Sequence, residues 1–129
     1  MFHPKYTSLL IILNIAHSLY NSLYFMSLLQ TCVLGTSIIY HNNLIENFRN
    51  YDIIVANSVI LHHFYLYSYY ISFEYYAMLP SFFYVLGIGS YIASKIYDHD
   101  DDIYHGYLHI YGVIANILLN NCVVNSIIN

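Results

Sequence analysis

Long uncharged stretches of this chain are separated by short polar segments. The first stretch runs from Tyr6 to Ile45 without an Asp, Glu, Lys or Arg. As a single helix it would be about 60 Å long at ~1.5 Å per residue, which is about twice the ~30 Å thickness of a bilayer hydrocarbon core. The pattern therefore predicts two membrane spans that are joined by a tight turn near Asn21-Ser22.

The rest of the chain is divided by three polar segments: Glu46–Asn50, the surroundings of Glu74, and the acidic run Asp98–Asp102. Each segment between them is long enough for one span, and we interpret the acidic run as a solvated turn. The pattern predicts an all-α fold, an integral membrane bundle of about five transmembrane helices in a single domain over residues 1–129. The predicted helices cover residues of about 6–21, 24–45, 51–70, 76–97 and 103–124.

Composition and charge agree with a membrane location. The chain is 59% hydrophobic and 8% charged, whereas soluble domains carry about 25% charged residues. The three cations, Lys5, Arg49 and Lys95, all fall on one side of a five-span bundle. The positive-inside rule then predicts a cytoplasmic N-terminus. So few cations give no electrostatic basis for binding nucleic acid.

Polar residues inside the predicted spans are expensive in lipid and therefore indicate functional sites. Ser37 and His41 are four residues apart in the second predicted helix, and His105 and His109 are four apart in the fifth. Residues at this spacing share one helix face. Two His residues at this spacing can bind one metal ion, and a third His would complete the protein ligands of a catalytic zinc site.

Span counting brings several of these residues to one side of the bundle. His41 lies near the end of the second predicted helix, Asp52 starts the third, and the His pair lies in the first turns of the fifth. If the spans alternate in direction, all of these positions lie on the cationic side, and we expect them to converge at one depth. His62 and His63 lie nearer the middle of the membrane, and His17 lies near the far end of the first helix.

The same residues resemble the motifs of a known superfamily. These are Ser37-Ile38-Ile39-Tyr40-His41, then Asp52 eleven residues after His41, and finally His105-Gly106-Tyr107-Leu108-His109. Together they resemble the CREST superfamily, which holds the alkaline ceramidases, the adiponectin/progestin-type receptors and GPI-remodelling proteins. Its members are seven-helix membrane proteins with a buried zinc. The short gap between His41 and Asp52 is more similar to the alkaline ceramidase branch.

The resemblance implies that the zinc ligands are His41, His105 and His109. It implies that Asp52 holds and deprotonates the attacking water, and that Ser37 is a hydrogen-bonding residue beside the metal. The implied function is zinc-dependent hydrolysis of a membrane lipid amide such as ceramide. The chain departs from the family because only two predicted spans, instead of four, separate Asp52 from the His pair. A homo-oligomer would supply the missing walls of the acyl pocket.

Three other functions fit parts of the same pattern. A non-catalytic small membrane protein with a structural or assembly role, of the kind that viruses encode, would need no metal. Haem bound between helices by His62 or His63 and a His of the fifth helix would produce a Soret band, although these residues are predicted at different depths. A zinc-containing, receptor-like protein with slow hydrolase activity would share all of the motif residues.

Overall fold

The computed structural model describes residues 4–42, 48–70, 78–97 and 101–128, which form five helices. Helix α1 consists of Pro4–Thr7, a 3-10 turn at Ser8–Leu10, and Ile11–Tyr20. The other four helices are α2 (Tyr24–His41), α3 (Arg49–Tyr70), α4 (Met78–Ile96) and α5 (Asp101–Ile128). The described residues contain no strand, so the predicted all-α class is confirmed.

The helix bounds differ from the predicted spans mainly in α2 and α5. Helix α2 ends at His41, whereas the predicted span continues into residues 43–47, which lie outside the described residues. Helix α5 runs from Asp101 to Ile128, so Asp101 and Asp102 belong to its first turn instead of the predicted acidic loop. Acidic residues are favourable at a helix N-terminus. The predicted turn at Glu74 and residues 98–100 of the acidic run lie outside the described residues.

The chain reverses direction between α1 and α2 at the predicted turn. The N–H of Leu23 donates to the carbonyl of Ser18 at 2.8 Å, and the N–H of Ser22 donates to that of Leu19 at 3.0 Å. Ser22 has a φ of 58°. This pair of bonds around a left-handed residue is a Schellman motif, which satisfies the last carbonyls of a helix and stops it. The turn therefore sets α2 antiparallel to α1.

The helices alternate in direction around α5. Asp52 at the start of α3 contacts Ser37 near the end of α2, and His105 at the start of α5 contacts His41. At the opposite end of the bundle, His17 of α1 bonds to a residue near the end of α5. Helix α5 packs against α1, α3 and α4, while α2 packs against α1 and α3. The starts of α1, α3 and α5 thus lie at the same end as the last turns of α2 and α4.

Hydropathy supports a membrane span most directly for α5. Within the described residues, Ile103–Ile128 is the one helical segment that is long and apolar enough to cross a membrane, with a mean hydropathy of 1.4 over its most apolar window. The five predicted helices are therefore present, and one of them has both the length and the hydropathy of a span.

Polar and apolar side chains are distributed in an unusual way across the bundle. Among the described residues, fully buried side chains are more often polar than hydrophobic, and they include Asn14, Gln30 and Asn120. Large hydrophobic side chains cover the outside; Leu61 and Phe64 are 69% and 66% exposed. A helix of a water-soluble bundle places its apolar stripe inward instead.

Candidate metal centre

Three histidines meet at one end of the bundle. His41 is the last residue of α2, and His105 and His109 lie one turn apart in the first turns of α5. The ring of His41 is 4.9 Å from that of His105 and 5.7 Å from that of His109, between centroids. The ligand nitrogens of the three residues all lie within 4.8 Å of one another. The structure thus brings together the three residues predicted as metal ligands.

The donor set suits a zinc ion. Imidazole nitrogen is a favoured zinc ligand, and catalytic zinc sites use three protein ligands with one position open. Nε2 of His109 is buried and has no hydrogen-bond partner among the described residues. A buried polar atom without a partner costs about 1–3 kcal/mol, and a bound metal ion would satisfy it. Zinc–nitrogen bonds of ~2.0–2.1 Å would require the three rings to approach one another more closely than in this structure.

Asp52 lines the same cavity as His105 and His109 and is held there by two hydroxyl groups. The carboxylate lies at the start of α3 and is 8% exposed. The hydroxyl of Ser37 donates to its Oδ1 at 2.9 Å, and that of Thr36 donates to the same oxygen at 2.8 Å. Both hydroxyl groups donate to Oδ1. Oδ2 is therefore the carboxylate oxygen at which Asp52 can accept a proton. The Ser37 hydroxyl therefore orients Asp52, whereas the resemblance implies that Ser37 acts beside the metal.

One cavity joins these groups to the interior of the bundle. It has a volume of about 130 Å³, and its wall includes Ser37, Asp52, His105 and His109. Asn14, Gln30 and Asn116 also line it. Asn14 is 1% exposed, and neither polar atom of its side chain has a hydrogen-bond partner among the described residues. The cavity therefore offers both donors and acceptors to a polar ligand.

The remaining predicted histidines lie elsewhere. The ring of His62 packs edge-on against Phe25 of α2, with 4.8 Å between centroids. His63 bonds through Nδ1 to the hydroxyl of Tyr84 in α4. His17 bonds to Asn121 at 3.0 Å, at the opposite end of the bundle from the metal centre. None of the three belongs to the three-histidine group.

Thr36, Asn14 and Tyr84 are site residues that the sequence reasoning did not select. Thr36 precedes Ser37 and is not four residues from a histidine. The rule that residues four apart share a helix face therefore does not select it. Asn14 and Tyr84 face the cavity only because of how α1 and α4 are rotated about their axes. The available signal was the presence of Asn and Gln within predicted spans, which is as unusual in lipid as the presence of His.

No family model, characterised protein or solved structure matches this chain. The resemblance to the CREST superfamily therefore depends on the motif residues and their spacing alone.

Proposed function

We propose that this protein is a multi-pass membrane protein that hydrolyses the amide bond of a lipid at a zinc centre. The observation that carries the proposal is the convergence of His41, His105 and His109, with ligand atoms within 4.8 Å of one another. Asp52 lines the same cavity as two of these residues. Three neutral ligands with a carboxylate nearby are the groups that a zinc hydrolase needs for binding metal and for moving a proton.

The exposed surface of the bundle supports the membrane part of the proposal. Exposed hydrophobic side chains occur on every helix, among them Leu13, Phe25, Leu61, Val85 and Ile103. In water an apolar surface of this extent would drive association, whereas in lipid it faces acyl chains. Helices α2, α3 and α4 contain 18, 22 and 19 residues, which at ~1.5 Å per residue gives about 27–33 Å. That length matches the ~30 Å hydrocarbon core.

The distribution of Tyr and of cations fits the same orientation. Helix α3 contains five Tyr residues, four of them in its last six positions. Tyr lowers the mean hydropathy of a helix yet is enriched at membrane interfaces. Helix α3 can therefore span a membrane even though its mean hydropathy is lower than that of α5. Arg49 and Lys95 lie at the end of the bundle that holds the histidines. By the positive-inside rule, the metal centre and the N-terminus lie on the cytoplasmic side.

The chain's own residues provide the proton chemistry. When bound, zinc acts as a Lewis acid that polarises the carbonyl group and makes water more acidic. Asp52 accepts a proton at Oδ2 and later gives it to the leaving amine. The hydroxyls of Thr36 and Ser37 hold Oδ1, so the carboxylate does not need to reorient during the reaction. Side-chain amides of Asn14 and Gln30 in the same cavity bind polar groups of the lipid.

The proposal is tested by an amide hydrolysis assay in detergent micelles. Purified protein is incubated with a long-chain ceramide, and the released fatty acid is measured. We expect release from zinc-loaded protein, loss of release after extraction of zinc with phenanthroline, and recovery when Zn²⁺ is added back. His62→Ala is the matched control, because His62 lies outside the three-histidine group, and it should retain activity. If zinc-loaded protein releases no more fatty acid than stripped protein from any lipid amide, the hydrolase assignment is wrong.

A further inference from the structure

We propose that a second pocket, between α3 and α4, binds a neutral lipid through one hydroxyl group. This pocket has a volume of about 170 Å³, which is smaller than the ~300–1,000 Å³ of sites that enclose a whole small molecule, so it would hold one end of the lipid. Phe64 of α3 and Val85 of α4 line it, and Leu119 of α5 contributes to its wall. The proposal does not depend on the metal centre.

A wall of three side chains separates this pocket from the metal-centre cavity. Ile60, Tyr84 and Ile88 line both spaces. His63, the histidine of the second pocket, comes eleven residues after Asp52, which is about 16 Å along a helix at ~1.5 Å per residue. His63 and the metal centre therefore lie at different depths in the bundle, although the two cavities share this wall.

The hydrogen bonds of Tyr84 determine whether Nε2 of His63 is a hydrogen-bond donor or an acceptor. The Tyr84 hydroxyl donates to Oδ1 of Asn116. Its oxygen is then the acceptor for Nδ1–H of His63. With the proton on Nδ1, the uncharged ring carries a lone pair on Nε2, which makes Nε2 a hydrogen-bond acceptor. His63 thus presents an acceptor, and not a donor, to a ligand in this pocket.

Nε2 of His63 is buried, and no described residue forms a hydrogen bond with it. His63 as a whole is 3% exposed. Leaving such an acceptor unsatisfied costs about 1–3 kcal/mol. A ligand hydroxyl that donates to Nε2 would remove this cost, and its hydrogen bond would be stronger in the low-dielectric interior than in water.

The surroundings of His63 select an uncharged, largely apolar ligand. Within the described residues, the one group of three metal-ligating side chains is at the other site, so this pocket lacks the ligands for a metal ion. A charged group would enter an apolar pocket without a countercharge, which is strongly unfavourable. Phe64 and Val85 are 66% and 67% exposed and lie at the outer surface of the bundle. In the proposed membrane orientation, a lipid would enter from the acyl-chain region.

Photolabelling in lipid nanodiscs tests this site. The probes are a long-chain alcohol with a diazirine in its chain and the corresponding methyl ether, which lacks the hydroxyl donor. We expect the alcohol to label α3 and α4 near the pocket several-fold more than the ether does, and unlabelled alcohol to compete. In His63→Phe the labelling by the alcohol should fall to the level of the ether. His62→Phe is the matched control and should label like the unmodified protein, because His62 packs on α2 instead.

A second variant keeps the test decisive if His63→Phe does not fold. Val85→Trp adds bulk at the exposed edge of the pocket and leaves His63 and its hydrogen bonds in place, and it should also reduce labelling by the alcohol. Circular dichroism and size-exclusion chromatography report folding independently of zinc and of hydrolysis. Equal labelling by the alcohol and the ether in the unmodified protein would overturn the proposal. So would an unchanged preference for the alcohol in a folded His63→Phe protein, or undiminished labelling by the alcohol in a folded Val85→Trp protein.

Discussion

Asp52→Asn is expected to keep zinc bound and to lower the turnover of lipid amide about 10²–10⁴-fold, the usual contribution of a general base. Asn retains an oxygen that can accept the hydroxyl bonds now made by Thr36 and Ser37 to Oδ1. The local packing is therefore preserved, while the oxygen that would accept a proton is replaced by an amide nitrogen. The measurement is the initial rate of fatty-acid release, together with the zinc content of the same sample.

Ser58→Ala is a suitable control for this experiment. Ser58 lies on the same helix but is exposed, and its hydroxyl bonds to the backbone carbonyl of Ile54 at 2.9 Å. Its removal should leave both zinc content and turnover unchanged. An Asp52→Asn protein with full turnover would show that another group moves the proton. Loss of zinc from Asp52→Asn would instead indicate that the carboxylate takes part in metal binding.

His105→Ala is expected to abolish the stabilisation that zinc gives to the fold. The centre joins the end of α2 to the start of α5, two helices that are separated in sequence by α3 and α4. A ligand that binds the folded state alone stabilises it by about 2.7 kcal/mol at a hundredfold excess over its dissociation constant. Zinc should therefore raise the melting temperature of stripped protein by several degrees and leave that of His105→Ala unchanged. Thermal unfolding in detergent, followed by circular dichroism, measures both values.

The corresponding control is His62→Ala, which should respond to zinc like the unmodified protein. A zinc-dependent rise in the melting temperature of His105→Ala, equal to that of the unmodified protein, would mean that the metal binds elsewhere. The acidic residues and the other histidines would then be the candidate ligands.

The helices could be predicted from sequence because charge and length constrain them strongly. The uncharged stretch from Tyr6 to Ile45 is too long for one span, and the turn indeed falls at Asn21 and Ser22. The placement of His41, His105 and His109 at one end of the bundle also follows from simple rules, since residues four apart share a helix face and alternating helices bring the end of α2 and the start of α5 to the same side. The position of the turn and the shared depth of the three histidines do not depend on how each helix is rotated about its axis, whereas the contact between their rings does.

Features that depend on helix rotation and on helix neighbours could not be predicted. The central position of α5 is one example, because α5 has apolar residues around most of its circumference. The bonds from Tyr84 to His63 and Asn116 are another, since they join three helices at one depth. The role of Ser37 was assigned by resemblance, yet its hydroxyl points to Asp52 because the start of α3 lies against that face of α2.

The central claim is that the three histidines bind zinc, and elemental analysis of the detergent-purified protein tests it most directly. The account predicts about one zinc ion per chain in the unmodified protein and in His62→Ala. In His41→Ala, which removes a ligand from the end of α2 and leaves both α5 histidines in place, the zinc should be lost. No stoichiometric zinc in the unmodified protein, or an equal amount in His41→Ala, would contradict the account.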